Sequence, residues 1–138
     1  LHSFPTRRSS DLITDSIFTS NEADSFGGAI GISASNLMCT NVAFSNNTSE
    51  NGGAVFGEGS LTLEITDASF INNSAGSGGA FMLSTNVTGV FRNTVFRGNN
   101  AVIGAGAIFI RDASLTVDGG QFLESTARLG GCFVMLSS

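Results

Sequence analysis

The sequence predicts an all-β chain wound as a right-handed parallel β-helix, a solenoid of about five coils of ~26 residues with three short strands per coil. Three observations carry that prediction. Phe18, Phe44, Phe70, Phe96 and Phe122 recur at intervals of 26 residues. A glycine pair recurs beside them at a spacing that wavers between 25 and 27. Between these markers lie short apolar segments bounded by turn residues, with no apolar run at the 3.6-residue period of a helix.

The phenylalanine column anchors several others. Three residues after each Phe stand Asn21, Asn47, Asn73 and Asn99, then Ser125. Three before stand Asp15, Asn41, Asp67 and Asn93, then Gly119. Five after, every residue is small: Ala23, Ser49, Ala75, Ala101, Ala127. Stacking such columns at the ~4.8 Å strand spacing places ring over ring and amide over amide. Alternating Asp with Asn keeps like charges off adjacent strands.

The glycine series runs Gly27-Gly28-Ala29-Ile30, Gly52-Gly53-Ala54-Val55, Gly78-Gly79-Ala80-Phe81, Ala105-Gly106-Ala107-Ile108 and Gly130-Gly131-Cys132-Phe133. One turn admits an extra residue and the next compensates, so each circuit returns to register. The pairs are expected at a corner where the backbone needs positive φ. The strand segments expected are Ile30–Ile32, Leu37–Cys39 and Val42–Phe44, then Val55–Phe56, Leu61–Ile65 and Ala68–Phe70 in the following coil. Leucine-rich spacing is absent, and the hexapeptide repeats of left-handed β-helices do not fit this period. Parallel crossovers also favour the right hand.

Composition narrows the function classes. The chain has 138 residues, 18 Gly, one Pro, no Trp, no Tyr and a net charge of −5. Acidic balance without a basic cluster beyond Arg7-Arg8 argues against nucleic acid as a partner. No apolar run is long enough for a membrane-spanning helix, and no signal-peptide pattern opens the chain. Residues 1–12, LHSFPTRRSSDL, stand outside the repeat and look like a non-native leader of the adapter read-through kind. Residues 13–138 are then expected to be a β-helix fragment of a longer protein, without caps at either end.

Few residues offer chemistry. His2 is the only histidine and lies in that leader, so no Ser-His or Cys-His nucleophile and no usual zinc site assembles. Cys39 and Cys132 fall three to four coils apart, roughly 14–19 Å along the axis, too far for a disulfide. Both are expected to be buried, inert thiols. Asp24 and Glu50 share a column in adjacent coils and are the one weak candidate pair for a metal ion, although calcium asks for more oxygen ligands than two carboxylates supply. Arg92 and Asp118 share another column and predict a cross-strand ion pair. Sequons begin at Asn46, Asn47, Asn72 and Asn86. No catalytic residue, no cofactor site and no enzymatic activity are expected.

The paired Gly-Gly-Ala-Ile and Phe-x-x-Asn motifs resemble the passenger repeats of the chlamydial polymorphic outer-membrane proteins over residues 16–133. Phe-x-x-Asn is met at Phe18/Asn21, Phe44/Asn47, Phe70/Asn73 and Phe96/Asn99, and lost at Phe122/Ser125. The resemblance implies a pectin-lyase-like β-helix displayed at a cell surface or outside the cell, with an adhesive role toward cell-surface or glycan ligands. The competing expectation is a fragment of a polysaccharide-active β-helix protein of the pectate lyase or polygalacturonase kind.

Overall fold

The computed structural model describes residues 10–137; the part of the leader before Ser10 lies outside them. Every regular element is a β-strand and every strand pair is parallel. The chain winds about five times, and each turn of the solenoid presents three faces.

The long face stacks Ser10–Thr19, Asn36–Ser45, Leu61–Thr66 with Ser69–Ile71, Val87–Arg97, and Ser114–Leu123. Its register pairs Phe18 with Phe44, Phe44 with Phe70, Phe70 with Phe96 and Phe96 with Phe122, so residues 26 apart lie over one another. The first strand starts at Ser10, three residues before the point where the repeat becomes legible, and pairs Ser10–Leu12 with Asn36–Met38. The glycine face stacks Ile30–Ser33, Val55–Glu58, Phe81–Ser84, Ile108–Arg111 and Phe133–Leu136. The third face is shorter: Thr48–Asn51, Ser74–Ser77 and Asn100–Gly104, continued by isolated bridges to residues 22, 26, 126 and 129.

Three strands per coil is the observed number, but their assignment differs from the apolar segments. Leu37–Cys39 and Val42–Phe44 are the two halves of one strand, bent at Asn41. The third face comes from the polar stretch after Phe-x-x-Asn. Its inward positions are Ser49, Ala75 and Ala101, all buried, so the stretch carries no large apolar alternation to betray a strand.

The rings stack as the 26-residue period demands. Successive centroids in the Phe column are 5.0, 4.7, 4.9 and 4.8 Å apart, with interplanar angles of 10° or less. Phe81 meets Phe70 edge-on at 4.8 Å and Phe91 at 5.0 Å, tying the glycine face to the long face across the core. The rest of the core is aliphatic, with Leu37, Val42, Leu63, Ile65, Leu83, Ile108 and Ile110 fully buried.

Each corner has its own backbone solution. At the glycine corner, Gly27, Gly52, Gly78 and Gly130 adopt positive φ, and Ala105 takes the same conformation in the coil that lacks the first glycine. The second glycine serves a different need. A Cβ at Gly28, Gly53 or Gly79 would fall on the carbonyl oxygen of Gly53, Gly79 or Gly106 in the coil above. Adjacent backbones pass too closely there for any side chain. Asn and Asp supply positive φ at many of the other bends, a region these two side chains enter more readily than most.

Candidate functional site

The long face folds along a line of four residues, Asp15, Asn41, Asp67 and Asn93, with φ of 50°, 55°, 52° and 49°. The left-handed conformation breaks the in–out alternation: Cys39 and Val42 both point inward while Thr40 and Asn41 face solvent. The outer surface becomes concave along the bend, forming a groove of about 530 Å³. Asp15, Asn41, Asp67 and Asn93 line one wall, and Ile17, Ala43, Ser69 and Val95 lie beside them. Ile17 is 76% exposed.

The polar wall is paired in twos. The Asn41 Nδ2 donates to Asp15 Oδ1 at 2.7 Å, and the Asn93 Nδ2 donates to Asp67 Oδ1 at 2.6 Å. No corresponding bond joins Asn41 to Asp67. Each amide spends one of its two donors on the carboxylate below it, and the second carboxylate oxygens and the amide oxygens are further acceptors among the residues that line the groove. The alternation seen in sequence thus does two things: it avoids stacked like charges, and it supplies residues that tolerate positive φ.

Past the Phe column, where the long-face strands end, runs the asparagine ladder. Asn47, Asn73 and Asn99 are fully buried. Each Nδ2 bonds backward to a phenylalanine carbonyl, Asn47 to Phe18, Asn73 to Phe44 and Asn99 to Phe70, at 2.9–3.1 Å. Each Oδ1 accepts the backbone N–H and the Nδ2 of the asparagine one coil earlier. Phe-x-x-Asn is therefore one device, a ring that fills the core and an amide that closes the corner over it. At the fifth coil Ser125 is too short to continue the ladder, and its buried Oγ has no partner.

The other residues singled out by sequence lie apart from the groove. Asp24 and Glu50 are both exposed on the third face. Three residues, 23–25, stand opposite two, 49–50, between the bridges Glu22–Thr48 and Phe26–Asn51, so Asp24 sits in a bulge. Among the described residues no group of three His, Cys, Asp or Glu is gathered for a metal ion. Arg92 does align with Asp118, but its ion pair is to Glu64 at 3.8 Å on the coil below. With both side chains nearly half exposed, that pair contributes little.

Both cysteines are free. Cys39 is buried beneath the long face, and burial pushes its thiol up to about 12. Cys132 is only half-buried, contrary to the expectation for both, because no described coil lies over it. The sequon residues Asn46, Asn72 and Asn86 are exposed with positive φ, whereas Asn47 is locked in the ladder and inaccessible. Among the described residues no helix is long and apolar enough to cross a membrane.

No curated protein and no solved structure matches the chain significantly. The family model of the Chlamydia polymorphic membrane protein repeat matches residues 15–33 and 41–58. The two matches start one coil apart, at the positive-φ residues Asp15 and Asn41, and end with the glycine-face strands at Ser33 and Glu58. Each match covers the same part of a circuit, from groove wall through stacked ring, ladder amide and glycine corner to glycine-face strand, and residues 34–40 lie between the two. The later coils repeat the stacked rings and the positive-φ corner, and the chain is a parallel β-solenoid whose first two coils are similar to the Chlamydia polymorphic membrane protein repeat.

Proposed function

We propose that this chain is a non-catalytic, surface-exposed segment of a secreted or outer-membrane protein, a rigid scaffold that holds adhesive surfaces away from the membrane. The observation that supports this most is the coincidence of the family repeat with the structural coil, since the family name places such repeats in membrane proteins. The residue content of the surface supports it further. The groove offers carboxylates, amides and small apolar side chains, with no histidine and no lysine beside them. General acid–base chemistry needs a group whose proton affinity is tuned for transfer. An adhesive surface needs only repeated, weak, geometrically fixed contacts, which a solenoid multiplies along its length.

Beads coated with residues 10–138 should adhere to cultured epithelial cells in a saturable way that excess soluble chain competes. Coated beads that behave like uncoated ones would remove the adhesive reading. The enzymatic alternative is checked in parallel by incubating the chain with polygalacturonate and calcium. Appearance of unsaturated oligosaccharide products would overturn the non-catalytic assignment.

A further inference from the structure

From the long-face groove we infer a binding site for an extended basic peptide in the polyproline II conformation, with arginine or lysine at every third position. This deepens the adhesive reading by naming the site and the chemistry it takes. The groove has a direction and a ruler built in. Its wall runs along the solenoid axis, where coils are about 4.8 Å apart. Asp15 and Asp67 are two coils apart, so their carboxylates repeat at roughly 9.6 Å. A polyproline II helix rises about 3.1 Å per residue with three residues per turn, so side chains at i and i+3 leave the same side about 9.3 Å apart. A β-strand does not match, because its same-side side chains repeat at about 6.8 Å.

Charge selects the peptide's side chains. Asp15 and Asp67 line the groove and no Arg does. The nearest cation along the strand, Arg92, lies at the fourth coil and is paired with Glu64 at 3.8 Å. Each Asp commits one oxygen to the asparagine above it and keeps the other for a charge-assisted bond. Between the carboxylates, Asn41 brings to the groove its amide oxygen and one further N–H, the other N–H being spent on Asp15. That oxygen suits the unpaired backbone N–H groups of a polyproline II chain, which makes no internal hydrogen bonds. Ile17, Ala43 and Val95 give the peptide's apolar positions a floor. A neutral glycan is the poorer fit, since no aromatic ring lines the groove to stack on a sugar face.

The test uses fluorescence anisotropy with labelled synthetic peptides and the whole chain. A peptide of repeating Arg-Pro-Pro is expected to bind saturably, and more tightly than a peptide of equal charge with arginine at every second position. The double substitution D15N/D67N keeps residues that tolerate positive φ and should weaken binding about tenfold or more. The charge-matched control D24N/E50Q, on the third face, should change it less than about twofold. Equal losses in the two double variants would overturn the site, reducing the attraction to net charge. Indifference to arginine spacing would overturn the polyproline II geometry. Binding of neutral oligosaccharides, with none of the basic peptide, would overturn the peptide class while leaving the adhesive scaffold standing. Cell adhesion by beads that survives D15N/D67N unchanged would separate this site from the adhesive function itself.

Discussion

Replacing Asn73 with alanine tests whether the asparagine ladder holds the coils together. Its side chain takes part in four hydrogen bonds. Nδ2 donates to the Phe44 carbonyl at 3.1 Å and to Asn99 Oδ1 at 3.0 Å, while Oδ1 accepts the Asn47 N–H and the Asn47 Nδ2, both at 3.0 Å. With alanine, the Asn47 backbone N–H stays in the core with no partner, whereas the Asn47 Nδ2 keeps the Phe18 carbonyl. Stranding a buried donor costs about 1–3 kcal/mol, and each remaining bond is worth about 1 kcal/mol net. The expected loss is about 4–6 kcal/mol, a large share of the stability of a domain this size. The end rung supplies the control: Asn21→Ala removes only the Asn21 Nδ2 bond to Asn47 Oδ1 and leaves the Asn21 N–H bond intact. It should cost about 1 kcal/mol. Urea unfolding followed by far-UV circular dichroism reads both, using midpoints because a stacked array need not unfold in one step. If Asn73→Ala shifts the midpoint no more than Asn21→Ala does, the ladder is an ornament of the corner and the reasoning fails.

Other substitutions probe separate parts of the coil. Gly53→Ala would push a methyl group onto the Gly79 carbonyl oxygen and should abolish folding or lower the melting temperature severely. Gly31→Ala meets nothing closer than the Phe26 carbonyl at 3.6 Å, and should be neutral or slightly stabilising in the same thermal scan. Ser125→Asn should extend the ladder by one rung in place of a buried hydroxyl without a partner, raising stability by about 1–2 kcal/mol in urea titrations. Cys132 should react with a thiol reagent in the native protein while Cys39 does so only on unfolding. Because the folded Cys39 thiol lies at about 12 against 9.0 when free, its contribution is intact below pH 9 and lost as pH rises through 12. Alkaline titration of thiolate absorbance on the C132S variant should therefore show no thiolate before unfolding sets in.

Where sequence and structure part company, the cause is visible in particular residues. Phe44 and Phe70 had to stack because their separation equals the circuit length, and a period is a property of the sequence alone. The third face escaped notice because Ser49, Ala75 and Ala101 are small, and a strand buried by small residues leaves no apolar alternation. Leu37–Cys39 and Val42–Phe44 read as two strands because the αL residue Asn41 resets the alternation between them. Asp15 and Asp67 read as spacers against charge repulsion, and nothing in a one-dimensional column says that the backbone turns there. Asp24 and Glu50 looked adjacent by counting, but the extra residue in the first coil places Asp24 in a bulge.

The sequence by itself determined the winding: the circuit length, the stacked rings, the amide ladder and the tight glycine corner all follow from residues that recur in register. Only the tertiary structure decided what the outside of the solenoid offers. A concave wall arises from four backbone torsions acting across four coils, and burial, exposure and the orientation of each amide depend on neighbours that are distant along the chain. Periodicity records which residues are stacked; it does not record which way the stack faces.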